Sequence, residues 1–175
     1  MPDKKRFGLN SPRELLAKLD WEMEQCDQLP VPEERVASYR AFNCAVTAWS
    51  ICDWVWNAAG PELQAQFRAA SPFPHSQGSE PLAALVRKES RELAVCQQLA
   101  NGSKHFIRKQ HNDPEVSSER LQSVSLFVSG DGRQQRAIRD FGVFIRDGAR
   151  TYSDVGLFSR AQKFWHEFFE RHQIG

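Results

Sequence analysis

No stretch of this chain approaches the ~18 consecutive apolar residues that a membrane-spanning helix needs, so a soluble protein without a membrane partner is expected. Charge of one sign is missing too. The 23 Lys and Arg nearly balance 22 Asp and Glu, for a net charge of +1. That excludes polyelectrolyte binding by the whole molecule and leaves nucleic-acid affinity to a local patch. Cysteine is sparse, at four residues (Cys26, Cys44, Cys52 and Cys96) with no CxxC pair. Cys44 and Cys52 lie eight residues apart on one expected helix, ~12 Å along its axis and too far to bridge. Buried thiols in a reducing compartment are the expectation. The opening MPDKKRFGLNSP carries charge but no apolar core of a secretory signal, so the expected location is cytoplasmic.

Several catalytic signatures are absent as well. There is no G-x-S-x-G elbow, no phosphate loop and no dinucleotide fingerprint. The spacings of Cys96, His105 and His111 match no structural zinc pattern, so neither a metal nor a cofactor is expected. GDGR at 130–133 reads as a hairpin turn, and His166 and His172 as surface residues of a final helix.

What is present suits a single domain over residues 1–175. A chain of that length buries roughly 70% of the surface exposed when unfolded, and 12 Phe and 5 Trp supply an ordered core. SPRE at 11–14 starts a helix, with Ser11 as cap, Pro12 at the first position and Glu14 placed for a capping box. Leu15, Leu16, Leu19, Met23 and Cys26 follow at helical spacing, with Asp20, Glu22, Glu24 and Asp27 read as a solvated stripe. A longer helix is expected over about 33–59. Tyr39, Phe42, Val46, Trp49 and Trp56 form one stripe beside a second of Ala41, Ala45, Ala48, Cys52, Val55 and Ala59. Two stripes make this helix central. Gly60-Pro61 ends it and opens a short helix to about Ala70.

SPFPHSQGS at 71–79 is loop. Ser79 then caps a helix carrying Leu82, Val86, Leu93, Cys96 and Ala100 inward, which either stops at Asn101-Gly102 or continues through His105. Residues 111–120 read as loop. Val124, Leu126 and Val128 alternate with serines, as Phe141, Val143 and Ile145 do with their neighbours, and DG at 147–148 marks a tight turn. Leu157, Phe158, Ala161, Phe164, Trp165, Phe168 and Phe169 form the apolar face of a closing helix. The expected fold is mainly α, an antiparallel helical bundle (about 11–110 and 153–173) with a small antiparallel β-meander (about 121–152) before the C-terminal helix.

Two polar features stand out. Asp53 lies between Trp49 and Trp56 in the aromatic stripe, where a carboxylate is either a structural, hydrogen-bonded group or an active-site acid. In CQQLANGSKHF, 96–106, a helix continuing past Gly102 sets Asn101 and His105 on one face and Lys104 and Arg108 on the next. Histidine exchanges protons near neutral pH, and Lys and Arg bind phosphate. Arg87, Lys88, Arg91, Lys104, Arg108 and Lys109 outnumber Glu89 and Glu92, which makes a local basic segment. The plainer reading of NGSKH is an ordinary helix end with solvated charge.

The long antiparallel helices, with an Asn and a His four apart near the end of a late helix, resemble the HEPN domains. Many of these are metal-independent endoribonucleases of toxin–antitoxin and phage-defence systems, marked by an Arg, a polar residue and a His a few positions on. Asn101 and His105 match the polar and His positions, while Ala100 stands where the family carries Arg. The resemblance implies RNA cleavage by acid–base chemistry. It assigns His105 to proton transfer, Asn101, Lys104 and Asp53 to the site, and Arg108, Lys109 and Arg91 to phosphate or RNA binding, in a homodimer with facing motifs. Two further readings stand beside it: a non-catalytic protein-interaction module, and a helical bundle that binds a small molecule.

Overall fold

The computed structural model describes residues 7–28, 31, 33–104, 113–128 and 135–175. Six helices and three strands follow in order: α1 (Pro12–Asp27), α2 (Glu34–Ala58), α3 (Pro61–Ala70), α4 (Glu80–Glu89), α5 (Arg91–Lys104), β1 (Val116–Val128), β2 (Gln135–Asp147), β3 (Arg150–Ser153) and α6 (Asp154–Arg171). The expected class holds: mainly α, with a three-stranded antiparallel sheet just before the last helix. No described helix is long and apolar enough to cross a membrane.

Of the two serine caps expected from the sequence, the one at Ser11 forms, whereas Ser79 precedes α4 without a side-chain cap and gives its hydroxyl to Asp53 instead. Ser11 Oγ accepts from the Glu14 amide at 3.2 Å, and the Glu14 carboxylate reaches back to the Asn10 amide, one residue before the expected partner. Ser153 Oγ accepts from the Gly156 amide at 3.1 Å and so starts α6 straight out of β3. At the β2–β3 turn Gly148 takes a φ of +57°, a left-handed conformation that a side chain would strain.

Of the two stripes on α2, the small residues form the core. Ala45, Ala48, Cys52 and Val55 are almost fully buried, whereas Tyr39 is 63% and Phe42 49% exposed. Small side chains let α1, α5 and α6 approach the α2 backbone closely. Trp165 of α6 exploits this, its indole Nε1 donating to the Ala48 carbonyl at 2.9 Å. Trp56 of the aromatic stripe is also buried, with the Arg68 guanidinium 4.9 Å from its ring, whereas Trp49 is partly buried, with that of Arg87 at 6.0 Å.

Four expectations need correction. The helix expected from Ser79 onward is two helices, broken at Ser90. That residue is extended (φ −135°), ends α4 through its amide to Val86 at 2.8 Å, and accepts the Leu93 amide on its Oγ at 3.1 Å. Val86 and Leu93, on either side of the break, are seven positions apart, about two helical turns, so the apolar period survives it and the sequence reads through. The segment before the meander is also not loop from 116 onward. β1 starts at Val116 and pairs its polar run, Ser117 to Arg120, with Arg146 to Val143 of β2. Residues 117–123 are all exposed, so neither face of this stretch requires apolar residues and no alternation marks the strand. Glu22, read as solvated, is 5% exposed against α2 and paired to Lys18, which also donates to Thr47 Oγ1 at 2.7 Å. Finally, His172 is no plain surface residue: its ring lies 4.4 Å from Phe168 and 5.1 Å from Phe67, centroid to centroid.

Candidate functional site

Sheet and helices meet along one line. The segment leading into β1 is anchored to α5 by polar contacts 15 and 22 residues apart in sequence. Gln98 Oε1 accepts the Asp113 amide at 3.2 Å, and Asp113 Oδ2 accepts from Arg91 at 3.1 Å. The Glu115 N–H and, secondarily, the Arg91 guanidinium hold the Asp113 carboxyl below its ordinary range. Behind it, Arg91 Nε donates to Asp147 Oδ2 at 2.9 Å and a terminal nitrogen donates to the other oxygen. Asp147 is buried, and its two hydrogen bonds to Arg91 raise the guanidinium pKa further.

Beyond these anchors a cleft of about 530 Å³ opens between α2, α5 and the sheet. Its floor is apolar: Ala41 and Ala45 from α2, Leu99 from α5, Val143 and Ile145 from β2, and Phe158 from α6. Phe42, half exposed, stands at the margin with Ser38. Along the far wall run five consecutive β1 residues, 116–120. Since neighbouring strand residues point to opposite faces, an unbroken run of five lines the cleft with residues of both faces of β1, beside Val143 and Ile145 opposite Arg120 and Ser118. Glu34 and Arg120 link α2 to β1 here at 3.2 Å, and Glu119 pairs with Arg146 at 3.2 Å.

Among the described residues of the expected site, Asn101 lies next to the cleft whereas Asp53 and Arg91 stand apart from its lining. Asn101, half-buried on α5, adjoins Gly102, which lines the cleft. The helix runs on through Gly102 to Lys104, so Asn101-Gly102 does not stop it. His105, Arg108 and Lys109 lie outside the described residues. Asp53 is not embedded among tryptophans: it is exposed, accepts from Ser79 Oγ at 2.6 Å and sits beside the start of α4. Eight residues of α2 separate it from Ala45 at the cleft, ~12 Å along the helix axis. Trp49 is only partly buried, so the 3-4 spacing placed Asp53 on a margin rather than in the core. Arg91 is likewise no open phosphate ligand, because two carboxylates occupy it. Among the described residues no group of three or more His, Cys, Asp or Glu is placed to hold a metal.

Sequence reasoning missed the cleft, the Arg91–Asp147 pair and the contact of Cys26 with Cys44 across α1 and α2, whose sulfurs are 3.5 Å apart. Separations of 56 and 18 residues leave no local pattern to read. One signal was available for the cleft, the polar SSER run ahead of an alternating strand. The chain matches no known family model, no curated protein and no solved structure.

Proposed function

We propose that the protein is an interaction module that takes an extended peptide segment in the cleft between α2, α5 and β1. The run of five consecutive β1 residues along the cleft wall carries this reading. β1 pairs with β2 alone among the described strands, so its other edge offers main-chain donors and acceptors. An extended peptide satisfies such an edge by adding a strand, and its alternate side chains then enter the apolar floor. The volume is within the range of ligand sites, roughly 300–1,000 Å³.

Selection from a displayed library of linear peptides, on the full chain, tests it. The expected binders are extended and apolar, and they slow amide exchange at 116–120. Phe42→Asp should weaken them by about tenfold or more, ~1.4 kcal/mol, while the thermal midpoint stays within about a degree or two. Binders that leave the β1 amides unprotected, or that ignore Phe42→Asp, reject the reading.

The HEPN-like reading is retained as a second proposal, favoured by the continuation of α5 through Gly102 to Lys104. In it His105 moves a proton to or from the 2′-hydroxyl or leaving oxygen of RNA, while Lys104 or Arg108 neutralises phosphate charge, in a cytoplasmic homodimer. His105→Ala then abolishes RNA cleavage with the thermal midpoint unchanged, and equal cleavage by both proteins rejects it.

A further inference from the structure

Cys26, in the last turn of α1, meets Cys44, midway along α2, with 3.5 Å between their sulfurs. The other two cysteines are shut away without such a partner: burial pushes the thiols of Cys52 and Cys96 far up, out of the reactive range. Cys26 differs also in its surroundings. It lines a pocket of about 130 Å³ whose opposite wall includes Leu121 and Ser123, both exposed, and which Arg40 and Asp154 share. Cys26 thus borders a pocket open to a small oxidant, whereas Cys44 is fully buried and does not line it.

We propose that Cys26 and Cys44 are a peroxide-reactive thiol pair that closes reversibly into a disulfide between α1 and α2. The Cys26 thiolate attacks the O–O bond of a peroxide, taking one oxygen as sulfenic acid while the other leaves as hydroxide or alkoxide and is protonated. Cys44 then attacks the Cys26 sulfur, the S–O bond breaks and water leaves with the Cys44 proton. The two sulfurs together lose two electrons, which reduce the peroxide to water, or to water and an alcohol. Geometry supplies the resolving step, since the second sulfur already touches the first. Electrostatics supports the first step. The hydrogen bond from Cys44 is the main influence lowering the Cys26 pKa, with a smaller contribution from Arg40, against burial and the charges of Asp154 and Asp27. The same contact and burial drive Cys44 far up.

The test is stoichiometric hydrogen peroxide on the reduced full chain, followed by alkylation of remaining thiols and peptide mapping by mass spectrometry. The expected product has lost two hydrogens, carries a Cys26–Cys44 cross-link, keeps Cys52 and Cys96 as thiols, and returns to the starting mass with dithiothreitol. In Cys44→Ser, Cys26 should stop at the sulfenic acid and be captured by a 1,3-dione. Wild-type protein in which Cys26 stays reduced, proceeds to sulfinic acid without a cross-link, or reacts no faster than Cys52 and Cys96 overturns the proposal. The wild-type mapping decides it even if the serine variant fails to fold.

Discussion

Arg91 of α5 grips Asp147 of β2 through Nε and a terminal nitrogen, and the same terminal nitrogen also reaches Asp113 at the entry to β1. One side chain thus ties the helical bundle to both long strands. Asp147 is buried while Arg91 remains 42% exposed, so the pair is desolvated on one side only. Arg91→Ala leaves the Asp147 carboxylate without its guanidinium. Breaking a fully buried pair costs ~3–5 kcal/mol, and water access at Arg91 lowers the expected loss to about 2–3 kcal/mol. Urea unfolding of the two proteins measures it. A loss under about 0.5 kcal/mol, the level of an ordinary surface change, would show that the sheet is held elsewhere.

A second expectation concerns the small stripe of α2. Ala48 is fully buried beneath Trp165, whose indole rests its N–H on the Ala48 carbonyl. Ala48→Leu drives three further carbons into that contact and should destabilise by about 1–3 kcal/mol or more. Trp165→Ala, by emptying the site, should cost ~3–5 kcal/mol. Thermal midpoints rank the two variants against wild type.

Asp53 is expected to matter little. Its carboxylate is exposed and meets one serine hydroxyl near the start of α4. Asp53→Asn should change stability by less than about 1 kcal/mol. Peptide binding at the cleft should be unchanged in the same variant, read by titration calorimetry.

pH acts through His172. Burial between Phe67 and Phe168, and secondarily Arg171, lower its pKa below the ordinary 6.5, against a weaker opposing pull from Glu89. The folded pKa therefore lies under the unfolded one. Between the two the unfolded chain binds more protons, so the His172 contribution is fully present above pH 6.5 and falls as pH drops through that value. Thermal midpoints of wild type and His172→Gln, measured in steps from pH 8 downward, should converge below pH 6.5 and differ most above it. Parallel curves would remove His172 from the acid response.

Much of the fold was legible because it is written locally. Ser11, Pro12, Gly60, Pro61, Gly148 and the apolar period of α6 act over a few residues, and each did what its type dictates. The failures share one cause. Ser90 interrupts a helix without breaking its apolar phase, and 117–123 form a strand with no buried face to impose alternation. On the long α2 helix, an apolar residue every third or fourth position says nothing of which stripe meets a neighbour. There the alanines took the core together with Trp56, while Tyr39 and Phe42 of the aromatic stripe stayed exposed.

The amino-acid order alone determined most of the helices and the later parts of the strands, though neither the break at Ser90 nor the start of β1, since caps, turns and periodicity arise between residues close in the chain. Only the tertiary structure decided what the polar residues do. Arg91 is held by an aspartate 56 residues away, Asp53 looks out to solvent, Cys26 finds a second sulfur, and the start of β1 comes to line a cleft. Each of these depends on how the helices lie against one another, which is set by side-chain shape across distant segments and leaves no local mark in the sequence.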